Sequence, residues 1–136
     1  MSSPLTASGF LAGLGEGDVD VILEASGIGT AMCKNKGGNL APGQNPIEVN
    51  VMGLQSIPET LIKNGTAPFS VTVDDPPLPT ATEGGCPNGN WKVVDLFVSW
   101  TSATITVKVA GTEAVLLQQD YKCVTTSTSG TCTAVP

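Results

Sequence analysis

The stretch that decides the fold is Trp91-Lys92-Val93-Val94-Asp95-Leu96-Phe97-Val98-Ser99-Trp100. Val94, Leu96, Val98 and Trp100 recur at every second position, and Trp91, Val93, Asp95 and Phe97 fill the alternate ones. A period of two marks a β-strand, because successive side chains leave opposite faces. Both faces are largely apolar here, which predicts a central strand. Thr101-Ser102 reads as a turn. Ala103, Ile105, Val107 and Val109, alternating with Thr104, Thr106 and Lys108, read as the next strand.

The same period extends outward in both directions. Val19, Val21, Leu23 and Ala25 alternate with Asp18, Asp20, Ile22 and Glu24, and Gly27 and Gly29 predict a bulge or kink before an extended run to Cys33. Residues 34–46 carry Lys-Asn-Lys-Gly-Gly-Asn and Ala-Pro-Gly-Gln-Asn-Pro, a long polar loop. Ile47, Val49 and Val51 form another strand, and Pro58, which cannot donate to a ladder, marks a turn or edge. Lys63-Asn64-Gly65-Thr66 is a hairpin signal between 60–62 and 69–73, where Phe69, Val71 and Val73 share a face. Pro76, Pro77 and Pro79 lie in an expected ordered crossing between sheets that ends at Cys86. Gly111-Thr112-Glu113 turns the chain into 114–123, with Val115, Leu117 and Tyr121 on the face of Cys123, and a short strand follows Cys132. No segment has a convincing helical period. Seven or eight strands at short, even spacing predict an all-β fold, an antiparallel immunoglobulin-like β-sandwich with two disulfides.

A chain of 136 residues fits one domain with a real core. Residues 16–136 are expected to form that single β-sandwich domain, and residues 1–15 an exposed N-terminal lead. Met1-Ser2-Ser3-Pro4 reads as an initiator and the start of a mature chain expressed without its leader. The apolar stretch 9–14 is too short and too broken by glycine to span a bilayer.

Hydrophobic residues make up 40% of the chain and charged residues only 13%, so a folded, weakly charged globule is expected. The net charge of -6 repels phosphate, which argues against nucleic acid and against an anionic membrane surface as partners. The chain has no His and no Arg. Missing His removes Ser-His-Asp and Cys-His catalysis, and missing Arg removes the bidentate anchor for phosphate and carboxylate. The expected reading is therefore no enzyme, no cofactor and no metal.

Cys33, Cys86, Cys123 and Cys132 have no CxxC spacing, so zinc is a weak reading and a disulfide framework the strong one. Four cysteines allow three pairings. Cys123 and Cys132 flank a Thr/Ser-rich, hairpin-like tip, so the expected bridges are Cys123–Cys132 and Cys33–Cys86. The second closes the longer loop and contributes about 4 kcal/mol in the chain-entropy model.

Several segments together resemble small secreted proteins of actinomycetes and filamentous fungi that have no assigned function. They are Cys33 to Pro46, Ile62-Lys63-Asn64-Gly65, Cys86-Pro87-Asn88-Gly89-Asn90-Trp91, and Phe97 followed by Thr101 to Val107. The resemblance covers most of the chain from Thr30 onward. It implies secretion and a β-rich fold and supplies no catalytic residues.

The candidate binding loop carries side-chain amides at Asn35, Asn39, Gln44 and Asn45, joined by Asn88, Asn90 and Trp91 beyond Cys86. Amides on a loop held by a rigid scaffold suit a neutral polar ligand such as a glycan. The competing reading is an ordered loop that caps one end of the fold. Trp91 and Trp100 are an odd number of residues apart, so a straight strand turns them to opposite faces and both cannot form one sugar platform. Trp100, beside Leu96 and Val98, is expected in the core. Glu16, Asp18, Asp20 and Glu24 are calcium-type ligands without a calcium-loop spacing, and read more simply as a solvated face. Asp74-Asp75 would be the acids of a hydrolase if a cleft held them. Gln118-Gln119, the tip at 125–131 and the Thr104, Thr106 strand face could receive another strand, or simply face solvent. Asn64-Gly65-Thr66 is a glycosylation sequon. The expected function is a secreted, extracellular, non-enzymatic binding domain for a glycan or protein partner. The alternatives are a secreted effector or inhibitor acting on a foreign protein, and a structural wall or filament subunit.

Overall fold

The structure, a computed structural model, describes residues 5–15, 17–125 and 130–134. These form an all-β antiparallel fold of eight strands: β1 (Thr6–Leu11), β2 (Val19–Lys34), β3 (Leu40–Pro42), β4 (Ile47–Ile57), β5 (Ala67–Thr72), β6 (Lys92–Val109), β7 (Val115–Thr125) and β8 (Gly130–Ala134). In place of two sheets of similar size, six strands make one sheet and β1 pairs with β5 as a two-stranded ribbon. The large sheet runs β3-β2-β6-β7-β8, with β4 also on β2, and curls into a half-barrel. β2 is its spine: it pairs with β6 along its whole length and with β4 and then β3 on its other edge.

The alternation read from sequence assigns the faces. In β2 every odd residue from Val19 to Cys33 is buried, while the even ones are half-buried or exposed. Register carries this inner face across the sheet through Gly53, Leu23, Ile105 and Gln119, and through Val51, Ala25, Ala103 and Tyr121. The ribbon packs on that face, and Leu11, Ala67, Val71 and Val73 join Leu23, Val98, Trp100 and Val107 in one core. The Asp74 N–H donates to the Met52 carbonyl at 2.9 Å, which ties the end of β5 to β4. Gly53 sits beneath that junction, where a Cβ would collide with the Thr72 carbonyl.

The expected exposed lead is corrected by this ribbon. Thr6–Leu11 pairs residue by residue with β5, and Leu5, Leu11 and Leu14 are buried. Among its described residues only Phe10 of the large apolar side chains stands out in solvent, at 78% exposure. The half-barrel leaves its inner face open, and this segment is what covers it. The turn at Lys63-Asn64-Gly65-Thr66 forms as read, closed by hydrogen bonds in both directions between Lys63 and Thr66. Asn64 and Gly65 both have positive φ (54° and 74°), as a tight hairpin turn requires. The strand it feeds, however, pairs with β1 rather than with 60–62, where Glu59–Leu61 is a 3-10 turn.

Trp91 to Val109 is corrected in a second way. Thr101-Ser102 is no turn; β6 runs straight through it as a strand of 18 residues. Ser26 pairs with Ser102 and Gly27 with Trp100, so Thr101 is an extra, bulged residue, and its hydroxyl donates to the Ser26 carbonyl at 3.1 Å. A second extra residue, Val94, lies between Val93, opposite Cys33, and Asp95, opposite Met32. It reverses the expected faces: Val93 turns in and Val94 is 46% exposed. A third irregularity between Val107 and Lys108 skips Leu116 and turns Val115 outward, away from the face of Cys123.

Both expected disulfides form, Cys33–Cys86 and Cys123–Cys132. The proline-rich crossing ends in one short helix, α1 (Ala81–Gly84), opened by a capping box between Thr80 and Glu83. The 34–46 loop contains β3, which returns against the end of β2.

Candidate functional site

The Cys33–Cys86 end of the half-barrel is built from two turns, each held by an asparagine side chain. β2 ends at Lys34, and Asn35 folds the chain back by accepting the Asn39 N–H on its side-chain Oδ1 at 2.9 Å. The Gly38 N–H donates to the Asn35 carbonyl at 3.0 Å, and the Asn35 N–H to the Asn39 carbonyl at 3.1 Å. Beyond Cys86, Asn88 does the same: its Oδ1 accepts the Asn90 N–H at 2.9 Å and its carbonyl accepts the Trp91 N–H at 3.2 Å. Asparagine suits both places because its side chain substitutes for a backbone turn partner. The Cys33–Cys86 bond ties the two turns to one another.

Between them lies an open cleft of about 320 Å³ lined by Asn35, Lys36, Gly37, Asn88, Asn90 and Trp91. A second hollow of about 250 Å³, lined by Lys34, Asn35, Lys36, Asn90, Lys92 and Val94, adjoins it. Four of the seven candidate loop residues, Asn35, Asn88, Asn90 and Trp91, are thus brought together. Asn39, Gln44 and Asn45 are not. Gln44 and Asn45 hold α1 instead: their backbone N–H groups donate to the Gly85 and Gly84 carbonyls, and the Asn45 side chain donates to those of Thr82 and Glu83. These are carbonyls of the helix end, where of the four only that of Thr82 also accepts from the cap, the Gly85 N–H, so Asn45 has a structural task.

The residues missed from sequence are Lys34, Lys36 and Lys92. Lys34 and Lys92 are direct register partners across β2 and β6. Like charges placed opposite each other are destabilising. Among the described residues none of the three makes an ion pair; the ion pair there is between Lys108 and Glu113, at 3.0 Å. No Asp or Glu lines either hollow. Asp95, one step along the strand, turns an oxygen to the Leu96 N–H at 2.9 Å. The signal was available: the bridging cysteines Cys33 and Cys86 each stand a few residues from these lysines.

The other candidates disperse. Trp100 is 2% exposed, in the core as expected. Asp18 accepts the Glu59 N–H and Asp20 the Ser56 hydroxyl, both at 2.8 Å. Glu16 lies outside the described residues. Among those described, no three His, Cys, Asp or Glu side chains gather as metal ligands. Asp74 and Asp75 are exposed at the end of the ribbon. Thr104 donates to Asp120 across the outer face at 2.9 Å, Thr106 is 8% exposed, and Gln118 is exposed. The Gln119 amide donates to the Asp120 carbonyl at 2.8 Å. Residues 126–129 of the tip lie outside the described residues. Asn64 is exposed at its turn. A further cleft of about 260 Å³ opens between β1 and the β6–β8 side of the inner face, lined by Leu5, Phe69, Ile105 and Tyr121 among others and by no carboxylate.

The chain matches no family model, no curated protein and no solved structure.

Proposed function

We propose that the chain is a secreted, non-enzymatic binding domain that holds a glycan or protein partner at its Cys33–Cys86 end. The observation that carries this reading is the half-buried Trp91, set in an open cleft with three asparagines and a lysine by two disulfide-joined turns. An aromatic ring beside fixed hydrogen-bonding groups suits a sugar, which presents an apolar ring face and polar edges. Two disulfides fit an oxidising compartment. No helix among the described residues is long and apolar enough to cross a membrane. The test is retention of the oxidised domain on insoluble cell-wall polysaccharide and on immobilised extracellular protein. The wild type is expected to be retained and Trp91→Ala released. Equal retention of both would overturn the reading.

The outer face supports a second reading, an effector or inhibitor that holds a foreign protein. Ile28, Met52, Leu54 and Phe97 are each 45% exposed or more on that face. A Phe97→Ser variant that loses a protein partner while Trp91→Ala keeps it would favour this reading.

A further inference from the structure

Resting on the proposed binding reading, we infer that the Trp91 cleft takes an acidic polysaccharide, one whose sugars carry carboxylates. The chain has six Lys against twelve acidic residues, yet Lys34, Lys36 and Lys92 line these two adjoining hollows. Half of the lysines of a negative molecule therefore gather at one end. That end is maintained against stability, since Lys34 and Lys92 face each other in register with no acidic partner among the described residues.

The hydrogen-bonding inventory points the same way. Asn35 and Asn88 use their Oδ1 acceptors internally, each on a backbone N–H. Their orientation is fixed by those donors, which leaves the NH₂ groups for a ligand. Lysine ammonium groups only donate. With the Asn90 amide, which can donate or accept, the cleft offers mostly donors, the complement of carboxylate and sugar oxygens. Lysine, a point charge without the bidentate fork of Arg, suits a repeating anion bound in more than one register. Nucleic acid is the less fitting polyanion, because one tryptophan makes a short stacking platform for its bases.

The test measures binding of the oxidised chain to polygalacturonate and to neutral galactan at low and high salt. Polygalacturonate is expected to bind, more weakly as salt rises, and galactan to bind far less. Affinity is expected to fall about fivefold for each of Lys34→Gln, Lys36→Gln and Lys92→Gln, and to stay level in Lys63→Gln. Lys34→Gln is expected to keep or raise the melting temperature, which separates lost binding from lost folding. Equal affinity for galactan and polygalacturonate, with Trp91 still required, would overturn the acidic ligand and leave the binding reading standing. Binding of single-stranded DNA as tight as that of polygalacturonate would overturn it too. Retention on no glycan and no protein would overturn both.

Discussion

Trp91 and Trp100 bound one apolar run, and the structure separates their work. Trp100 follows from its neighbours: Leu96 and Val98 precede it at a strict period of two, and all three are buried. Trp91 could not be placed by counting, because the extra residue at Val94 reverses the alternation between the two. A bulge leaves little mark when the inserted residue is itself apolar and β-branched. Gly53 is a residue whose task is invisible in sequence, since the strand it meets is distant in the chain. A Gly53→Ala chain is expected to lose about 1–3 kcal/mol in denaturant unfolding, because the colliding atom is a backbone carbonyl that a rotamer change cannot move. Glu83 gives a pH test at the same scale. The Thr80 backbone N–H, and secondly the Thr80 hydroxyl, hold its pKa below the ordinary glutamate value. A lowered folded-state pKa means the cap is intact above the unfolded value and is lost as pH falls through the lowered one. The Thr80 amide resonance is therefore expected to titrate below the usual glutamate range, and Glu83→Gln to abolish that titration.

At the scale of elements, periodicity located the spine strands but not their ends. β6 was read as two pieces, since Thr101-Ser102 looks like a turn, whereas the bulge or kink expected at Gly27 and Gly29 is met by the register slip between Ser26 and Gly27. Thr101 sits where the ladder with β2 slips by one, so it is part of the strand. β1 was missed because Ser8, Gly9 and the exposed Phe10 mask its pattern, and its pairing with β5 is a long-range fact. α1 was missed although Thr80-Ala81-Thr82-Glu83 is a capping-box sequence; with four residues it has no helical period to find. The disulfide pairing was legible from the short tip between Cys123 and Cys132. Replacing Cys33 and Cys86 together by Ala is expected to cost about 4 kcal/mol, against about 3 kcal/mol for Cys123 and Cys132, measured by urea unfolding of each double variant. The first variant is also expected to lose ligand, because its two asparagine turns are no longer joined. The second is expected to keep it.

For the whole molecule, the all-β class, antiparallel pairing and both bridges were readable, whereas the six-and-two division of strands was not. That division depends on which face the first strand covers, and no local pattern encodes it. The functional end was half readable. Its asparagines and Trp91 stood out, but its lysines are scattered along the chain and converge only through the Cys33–Cys86 bond and the β2–β6 register. A protein of net charge -6 that places Lys34, Lys36 and Lys92 at one end has a polarity that its sequence totals conceal. The most direct test is a backbone amide spectrum of the isotopically labelled, oxidised chain titrated with a short galacturonate oligosaccharide. Shifts confined to residues 34–37 and 88–92, with the inner cleft by Tyr121 and the outer face by Phe97 unmoved, are the predicted result. Shifts centred on either of those other surfaces, or none at saturating oligosaccharide, would contradict the account.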